Sequence, residues 1–404
     1  MSKEGNILVF TQWSFKNALV QTYTLPYVDI IRKIIAPNRK IFLFTSEQEN
    51  IALDSNEIKQ INNEWEKRNM QLLPYPYKRF GFKKMIVVSG YLFKLIRIIK
   101  KEKISTIHAF CMPAGGIAYL LSKATGAELI IDSYEPHAES MIENGTWKKN
   151  GAAYRILFSL EKKQTQRAKA IIATTAGMKQ YALEKYNVEV RNFFVKPACV
   201  DLEKFSPSEK DPELLKELGL ENKIICVYAG KLGGIYFKKE VFDFIKLCYD
   251  HWKDDFRFLM LTNATNEEVV AEVERVKIPG DIVINRFVFH NDIPRYLSLG
   301  DFAINPVKPV PAKKYCTSIK DGEYWAMGLP VVISPNISDD SKIIEDENTG
   351  VVVDFSDHLQ LSGAVNKIEK LVKEKKVLKE RIRQIAIRYR SFDLAEKIYK
   401  EVYK

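Results

Sequence analysis

Two segments of the chain carry residue types at spacings suited to a phosphorylated ligand. The first runs Thr317-Ser318-Ile319-Lys320-Asp321-Gly322-Glu323-Tyr324-Trp325-Ala326-Met327-Gly328-Leu329-Pro330-Val331-Val332. Ser318 followed three residues later by Asp321 is a capping pattern, which predicts a helix whose first backbone N–H groups are free. Lys320 falls in the first turn and Glu323 about one turn inside, while Gly328 suits the C-terminal cap before a strand. Such N–H groups, with Ser318, Ile319 and Lys320 around them, can hold a diphosphate, and a nearby carboxylate accepts two vicinal hydroxyls of a ribose. Taken singly, Glu323 also reads as a surface glutamate and Lys320 as a solvated lysine. The second segment, Gly230-Lys231-Leu232-Gly233-Gly234, follows the apolar run Ile224–Ala229 and precedes a helix near Lys239. Glycines let backbone amides approach a phosphate closely, and Lys231 adds a compact charge. A plain strand-to-helix turn is the other reading. The segment matches neither a Walker loop nor Gly-x-Gly-x-x-Gly, so an ATPase or a dinucleotide oxidoreductase is not supported.

The first half offers a third and a fourth segment. Pro113-Ala114-Gly115-Gly116 follows the strand Ser105–Phe110, and the amides of Gly115 and Gly116 could receive an acceptor phosphate; an ordinary tight turn is the plainer reading. The strand Glu128–Asp132 runs into a loop, Asp132 to Glu139, that holds His137, one of only five histidines. Glu135, His137 and Glu139 alternate as on an extended strand, which is one arrangement for metal ligation. Pro136 and the lack of further His or Cys nearby argue against it. No Asp-x-Asp occurs, so no metal clamp on a diphosphate is expected.

Positioning these segments requires a frame. Short apolar runs separated by helical stretches read as buried parallel strands: Asn6–Phe10, Lys40–Thr45, Ser105–Phe110, Glu128–Asp132, Lys169–Thr174 and Val190–Val195. After a break the pattern resumes at Ile224–Ala229, Phe256–Thr262, Asp281–Phe287, Asp301–Asn305, Pro330–Ser334 and Gly350–Asp354. Two such arrays predict an α/β protein of two doubly wound Rossmann-like domains facing a central cleft, where ligands bind outside the strand C-terminal ends. The expected division is 1–200, 201–385, and a helix at 386–404 that returns to the first domain, with the seam in the Pro-containing stretch Lys196 to Glu209.

The chain has 404 residues, enough for two or three domains with proper cores. Its five cysteines form no Cys-x-x-Cys pair, which fits a reducing cytoplasm rather than a disulfide framework. No segment approaches the roughly 18 apolar residues of a bilayer span. The net charge of +11 is uneven: residues 1–200 carry +13 and residues 201–404 carry −2. That asymmetry points the first half towards something anionic. Tyr75-Pro76-Tyr77-Lys78-Arg79-Phe80-Gly81-Phe82-Lys83-Lys84 interleaves aromatics with bases in what reads as a loop, and Lys94, Arg97 and Lys101 share one helical face. The combination suits an anionic membrane headgroup interface. Nucleic acid is not expected, because no RNA- or DNA-binding signature accompanies it.

Residues 195 to 354 then carry a resemblance as an ordered series. They resemble the donor domain of family-four (group 1) retaining glycosyltransferases of GT-B fold. Tyr228-Ala229-Gly230-Lys231 is similar to the family's phosphate turn. Ile293 to Leu297 and Asp301 to Pro306 are similar to its helix and strand, and Thr349-Gly350 to its closing loop. The closest match is Glu323-Tyr324-x-Ala326-x-Gly328-x-Pro330-Val331-Val332, and Pro197 to Pro207 looks like the domain junction. Three departures stand out. Tyr315 occupies the place of the first of two glutamates, the second basic residue is shifted to Lys238 or Lys239, and Thr11 to Asn17 replaces an N-terminal glycine-rich loop.

The resemblance implies a hexosyltransferase that passes a sugar from a nucleotide diphosphate sugar to a glycan acceptor, lipid-linked or not, in polysaccharide or glycoconjugate biosynthesis. No cofactor beyond that co-substrate and no metal is expected. His137, Lys231 and Glu323 are the implied catalytic residues. Gly230, Gly233, Gly234, Lys238, Ser318, Ile319 and Lys320 are expected to bind the donor, and Gly115, Gly116 and Glu135 the acceptor. A lapsed nucleotide-sugar-binding protein and a nucleotide-sugar epimerase of the same architecture are the alternatives.

Overall fold

The computed structural model of the chain describes residues 5–77 and 82–404, and only the backbone of 82–89. It divides into two units: Met1–Pro197 together with Asp393–Lys404, and Ala198–Phe392.

The first unit runs β1 (Asn6–Phe10), α1 (Leu25–Ile34), β2 (Ile41–Glu47), α2 (Ser55–Glu66), β3 (Met70–Pro76), α3 (Phe82–Lys101), β4 (Ile104–Phe110) and α4 (Met112–Thr125). It continues β5 (Glu128–Tyr134), α5 (His137–Glu143), α6 (Ala152–Arg167), β6 (Ala170–Ala173), α7 (Gly177–Tyr186) and β7 (Phe193–Val195). The strands form one parallel sheet in the order β3-β2-β1-β4-β5-β6-β7. β2 and β4 are buried on both faces, as interior strands of a parallel sheet covered by helices are. The order reverses between β1 and β4, and right-handed crossovers place α1 and α2 on one face and α3, α4 and α6 on the other.

The second unit runs α8 (Pro212–Glu217), β8 (Ile224–Ala229), α9 (Lys239–Trp252), β9 (Phe256–Leu261), α10 (Asn266–Val276), β10 (Val283–Arg286) and α11 (Ile293–Leu297). β11 (Phe302–Asn305), α12 (Ile319–Ala326), β12 (Val331–Ile333), α13 (Asp340–Asp346), β13 (Gly350–Val352), α14 (His358–Lys373) and α15 (Lys375–Arg390) complete it. Its parallel sheet is ordered β10-β9-β8-β11-β12-β13, with the reversal between β8 and β11.

Three sequence expectations change here. β3 was not anticipated: Pro74 and Pro76 break the apolar run, yet β3 is an edge strand, where a missing N–H costs little. Tyr75 therefore lies in a strand rather than a loop, its ring stacked on Phe44 at 5.1 Å and edge-on to Tyr91 at 5.8 Å. Of the remaining aromatic-basic segment, Lys78, Arg79, Phe80 and Gly81 lie outside the described residues. The tail boundary expected at residue 386 falls at Asp393, because α15 continues to Arg390 before the extended Ser391 starts the last helix, α16 (Phe392–Val402).

α16 is joined to the first unit through a buried polar cluster. Tyr399 donates to Asp132 at 2.7 Å, and His108 lies between Asp132 at 3.2 Å and the Tyr403 hydroxyl at 2.7 Å. Lys196 completes it, 3.2 Å from Asp132 and 3.4 Å from the centre of the Tyr27 ring. Burial alone would raise the Asp132 carboxyl. Lys196, with His108 and Tyr399 as donors, outweighs it and holds the group at about 2.

Candidate active site

The reversal of strand order in the second unit brings together the two segments singled out above. The turn Gly230–Gly234 leaves β8, and the chain from β11 leads to α12, so both emerge at the carboxyl ends of neighbouring strands.

Ser318 occupies the N-cap position of α12 with an extended backbone, but its hydroxyl does not cap the helix. The capping pair expected from Ser318 and Asp321 is corrected. Asn305 Nδ2 donates to Ser318 Oγ at 3.0 Å and to both Asp321 oxygens at 2.8 Å, which draws Asp321 into the interior. Burial, reinforced by the nearby negative Asp340, pushes the Asp321 carboxyl well above the usual carboxylate range. Asp340 accepts from the Ser318 N–H at 3.3 Å and pairs with buried Arg390. The helix end is thus fixed from behind by side chains, while the amides of Ile319 and Lys320 have no acceptor among the described residues.

The glycine turn is held from its other side. Tyr228 donates to the Lys231 carbonyl, Lys308 N–H to Ile235 O at 2.9 Å, and Lys308 Nζ to Gly234 O at 2.9 Å. Gly233 and Gly234 both have left-handed backbones, with φ of +77° and +63°, so their identity is set by the turn itself. Lys320 crosses over from α12 and donates to Tyr236 Oη at 2.7 Å. It lies so close to Gly230 that a Cβ there would collide with its side chain. Gly230, Tyr236 and Lys320 therefore share one spot. Lys231 is exposed, and Lys238 is directed to Glu268 on α10, 3.7 Å away.

Glu323, largely buried, has a partner that the sequence reading missed. His290 Nε2 stands 3.2 Å from Glu323 Oε1. His290 belongs to the loop after β10, beside Phe287 and Phe289, which are 67% and 71% exposed. Two exposed phenylalanines around a histidine were the available signal.

In the first unit the expected loop is corrected. β5 continues to Tyr134, and His137 is the first residue of α5, so Glu135, His137 and Glu139 do not alternate along an extended strand. His137 Nδ1 lies 3.4 Å from Glu135 Oε1, and both side chains are partly exposed. Gly115 and Gly116 sit within α4 rather than in a tight turn. The Gly115 N–H is spent on Cys111 O at 3.0 Å, and a Cβ at either position would meet Gln164 or Leu160 of α6. They are glycines because two helices pack closely there, which removes the ground for an acceptor phosphate on their amides. Behind α5 lies Glu161, also missed: its carboxylate accepts from Ala138 N–H and from the Tyr186 hydroxyl, each at 2.9 Å. Burial pushes it up to about 8 despite both donors. A lone acid in the buried stripe Leu157, Glu161, Gln164, Thr165 was the readable sign.

Residues 223–371 match the family described as Glycosyl transferases group 1, and residues 59–204 match Glycosyltransferase Family 4. No curated protein sequence matches the chain. Among solved structures, a glycosyltransferase from Rickettsia africae ESF-5 superposes with a TM-score of 0.70 at 16% identity, covering 100% of this chain and 98% of that one. Anabaena Alr3699/HepE in complex with UDP gives 0.73 at 13% identity, covering 98% of each. WaaG, a glycosyltransferase involved in lipopolysaccharide biosynthesis, gives 0.70 at 15%, covering 98% of this chain and 99% of that one. At these identities the likeness establishes the fold.

Proposed function

This chain belongs to the group 1, family 4 glycosyltransferases of GT-B fold, and from that premise we propose that it moves a hexose-type residue from a nucleotide diphosphate sugar to a hydroxyl of a glycan, with retention at the anomeric carbon. The observation that carries the reading is the meeting of Lys320 with the Gly230 turn beside a helix end whose first amides have no acceptor among the described residues. HepE was solved with UDP and with UDP-glucose, which supports a nucleotide sugar as the co-substrate.

Departure of the nucleoside diphosphate leaves negative charge on its phosphates. The amides of Ile319 and Lys320, the turn Gly230–Gly234 and the Lys320 ammonium are fixed donors for that charge, already oriented before the reaction, and the exposed Lys231 is free to add its charge. Glu323 accepts from the ribose hydroxyls. His137 and Glu135, just beyond the carboxyl end of the interior strand β5 of the first unit, are assigned to the transferred sugar and the acceptor. Lys238 is assigned to the donor only after it leaves Glu268, an exchange of one exposed ion pair worth about 1 kcal/mol or less.

The acceptor is proposed to be a lipid-linked saccharide at the inner face of an anionic membrane. No helix among the described residues is long and apolar enough to cross a bilayer. The support is one-signed: α3 and α4 contain no acidic residue and α6 contains only buried Glu161. On these adjacent helices Lys94, Arg97, Lys123, Arg155, Lys162 and Lys163 are exposed, as are Phe93, Leu120 and Ile156.

Titration calorimetry with UDP and GDP, followed by a nucleotide-sugar hydrolysis assay with a panel of donors, tests the function. Tight diphosphate binding with slow donor hydrolysis is expected. Binding without any sugar release would instead favour the lapsed binding protein that Tyr315 brings to mind.

A further inference from the structure

His290 makes two directional contacts that together fix its proton. Lys204 Nζ lies 2.9 Å from His290 Nδ1 and also donates to Asn291 Oδ1 at 2.9 Å. An ammonium has donors only, so Nδ1 accepts with its lone pair and the ring proton resides on Nε2. Nε2 is the atom 3.2 Å from Glu323 Oε1, to which it donates. The other Glu323 oxygen, Oε2, has no partner among the described residues. Phe205 closes the arrangement with its ring edge-on to the imidazole at 5.6 Å.

We propose that His290 is a positioning residue for the nucleoside: it commits one oxygen of Glu323, leaves the other for the ligand, and is itself held in the required tautomer by Lys204. The inference rests on the reading that Glu323 accepts from ribose. A free glutamate would lose rotamer entropy when it orders on a ligand. Here the order is already present, so the carboxylate meets the hydroxyls without that loss. Lys204 lies in the segment that leads into the second unit from Ala198. Its turn is fixed by Asp201, whose carboxylate accepts from the N–H groups of Glu203 and Lys204 at 3.0 Å. The selectivity for a ribonucleotide therefore draws on three segments far apart in sequence: the entry segment, the loop after β10, and α12.

The test is calorimetric, with UDP against 2′-deoxy-UDP and GDP against 2′-deoxy-GDP. The wild type is expected to prefer the ribo form of its nucleotide at least tenfold. His290→Ala and Lys204→Met are expected to reduce that preference to about twofold. His290→Gln, whose amide can both accept from Lys204 and donate to Glu323, should keep most of it. A ratio between two ligands is not moved by a mere loss of folded protein, and two separate variants guard against one of them misfolding. If Glu323→Gln leaves the preference intact, or the wild type shows none or binds neither pair, the ribose reading of Glu323 falls and the inference with it. If Glu323→Gln abolishes the preference while His290→Ala and Lys204→Met keep it, the reading stands and the role of His290 is overturned. Equal loss of both ligand forms in the His290 variant would likewise make it a structural residue only.

Discussion

Gly230 and Lys320 occupy each other's space. The lysine from α12 lies over the glycine that ends β8, and no side chain, however small, fits between them. Gly230→Ala should therefore displace the Lys320 ammonium while leaving the strand in place. A charge-assisted contact to phosphate is worth roughly 1.5 to 3 kcal/mol, so UDP or GDP affinity should fall more than tenfold, and Lys320→Ala should do the same. Unchanged calorimetric affinity in both variants would remove Lys320 from the site.

His137→Ala is expected to lower kcat more than it weakens nucleotide binding, because the residue is assigned to charge that develops on the sugar. Steady-state kinetics over a donor series read this directly. Normal turnover per folded molecule, with only a lower melting temperature, would make His137 a helix-start residue and nothing more.

Asp132→Asn should destabilise the first unit by about 3 to 5 kcal/mol, since it leaves Lys196 buried beside a neutral amide. The acid limb carries the same information. The folded carboxyl at about 2 lies below its ordinary value of roughly 3.9, so its contribution is present above roughly pH 3.9 and lost as the pH falls towards 2. Urea midpoints measured across that window should slope in the wild type and lose this contribution in the variant.

Glu161 behaves oppositely. Its folded value of about 8 stands above the ordinary glutamate value of roughly 4.3, so between those limits the folded state holds a proton that the unfolded state has released. Stability should then fall as the pH rises to about 8, by up to about 1.4 kcal/mol per pH unit, and level off above it. Glu161→Gln should flatten that decline. Parallel melting curves of the two proteins from pH 5 to 9 would refute the assignment.

Vesicle sedimentation addresses the basic face. Each surface base near an anionic bilayer contributes about 1 kcal/mol, screened over roughly 10 Å at 0.1 M salt. The wild type should pellet with anionic vesicles at low salt, not with neutral ones, and release at high salt. Changing Lys94, Arg97, Lys123 and Lys163 together to Ser should abolish pelleting. A wild type that ignores anionic vesicles would leave a dissolved, phosphorylated acceptor as the better match to the charge.

What was legible in the sequence follows the range of the forces involved. β8 reads out at both ends because Ile224–Ala229 is a continuous apolar run stopped by a glycine, a local signal. α12 and its end at Gly328 are local too, which is why the position of its first turn after β11 could be read directly. The side-chain partners were not legible. Ser318 and Asp321 have the spacing of a capping pair, yet Asn305, thirteen residues before Ser318, takes both side chains. His290 and Glu323, or Asp132 and Lys196, are brought together only by the sheet order. Gly115 and Gly116 looked like a turn because glycine is used both for bending and for close packing, and only the position of α6 distinguishes the two.

The first unit closes on itself with a segment that follows the whole second unit in the chain. On the ribosome, residues 198–392 therefore emerge before Tyr399 and Tyr403 can reach His108 and Asp132, although domains ordinarily fold in the order of their synthesis. The first unit must wait, with a charged pair and a histidine at the place where α16 will sit, while the second, continuous unit is free to fold. Protease protection of ribosome-bound chains carrying residues 1–392 on an unstructured linker long enough to clear the exit tunnel should show the second unit resistant and the first still sensitive. Emergence of residues 393–404 then completes the older half of the molecule after the younger one.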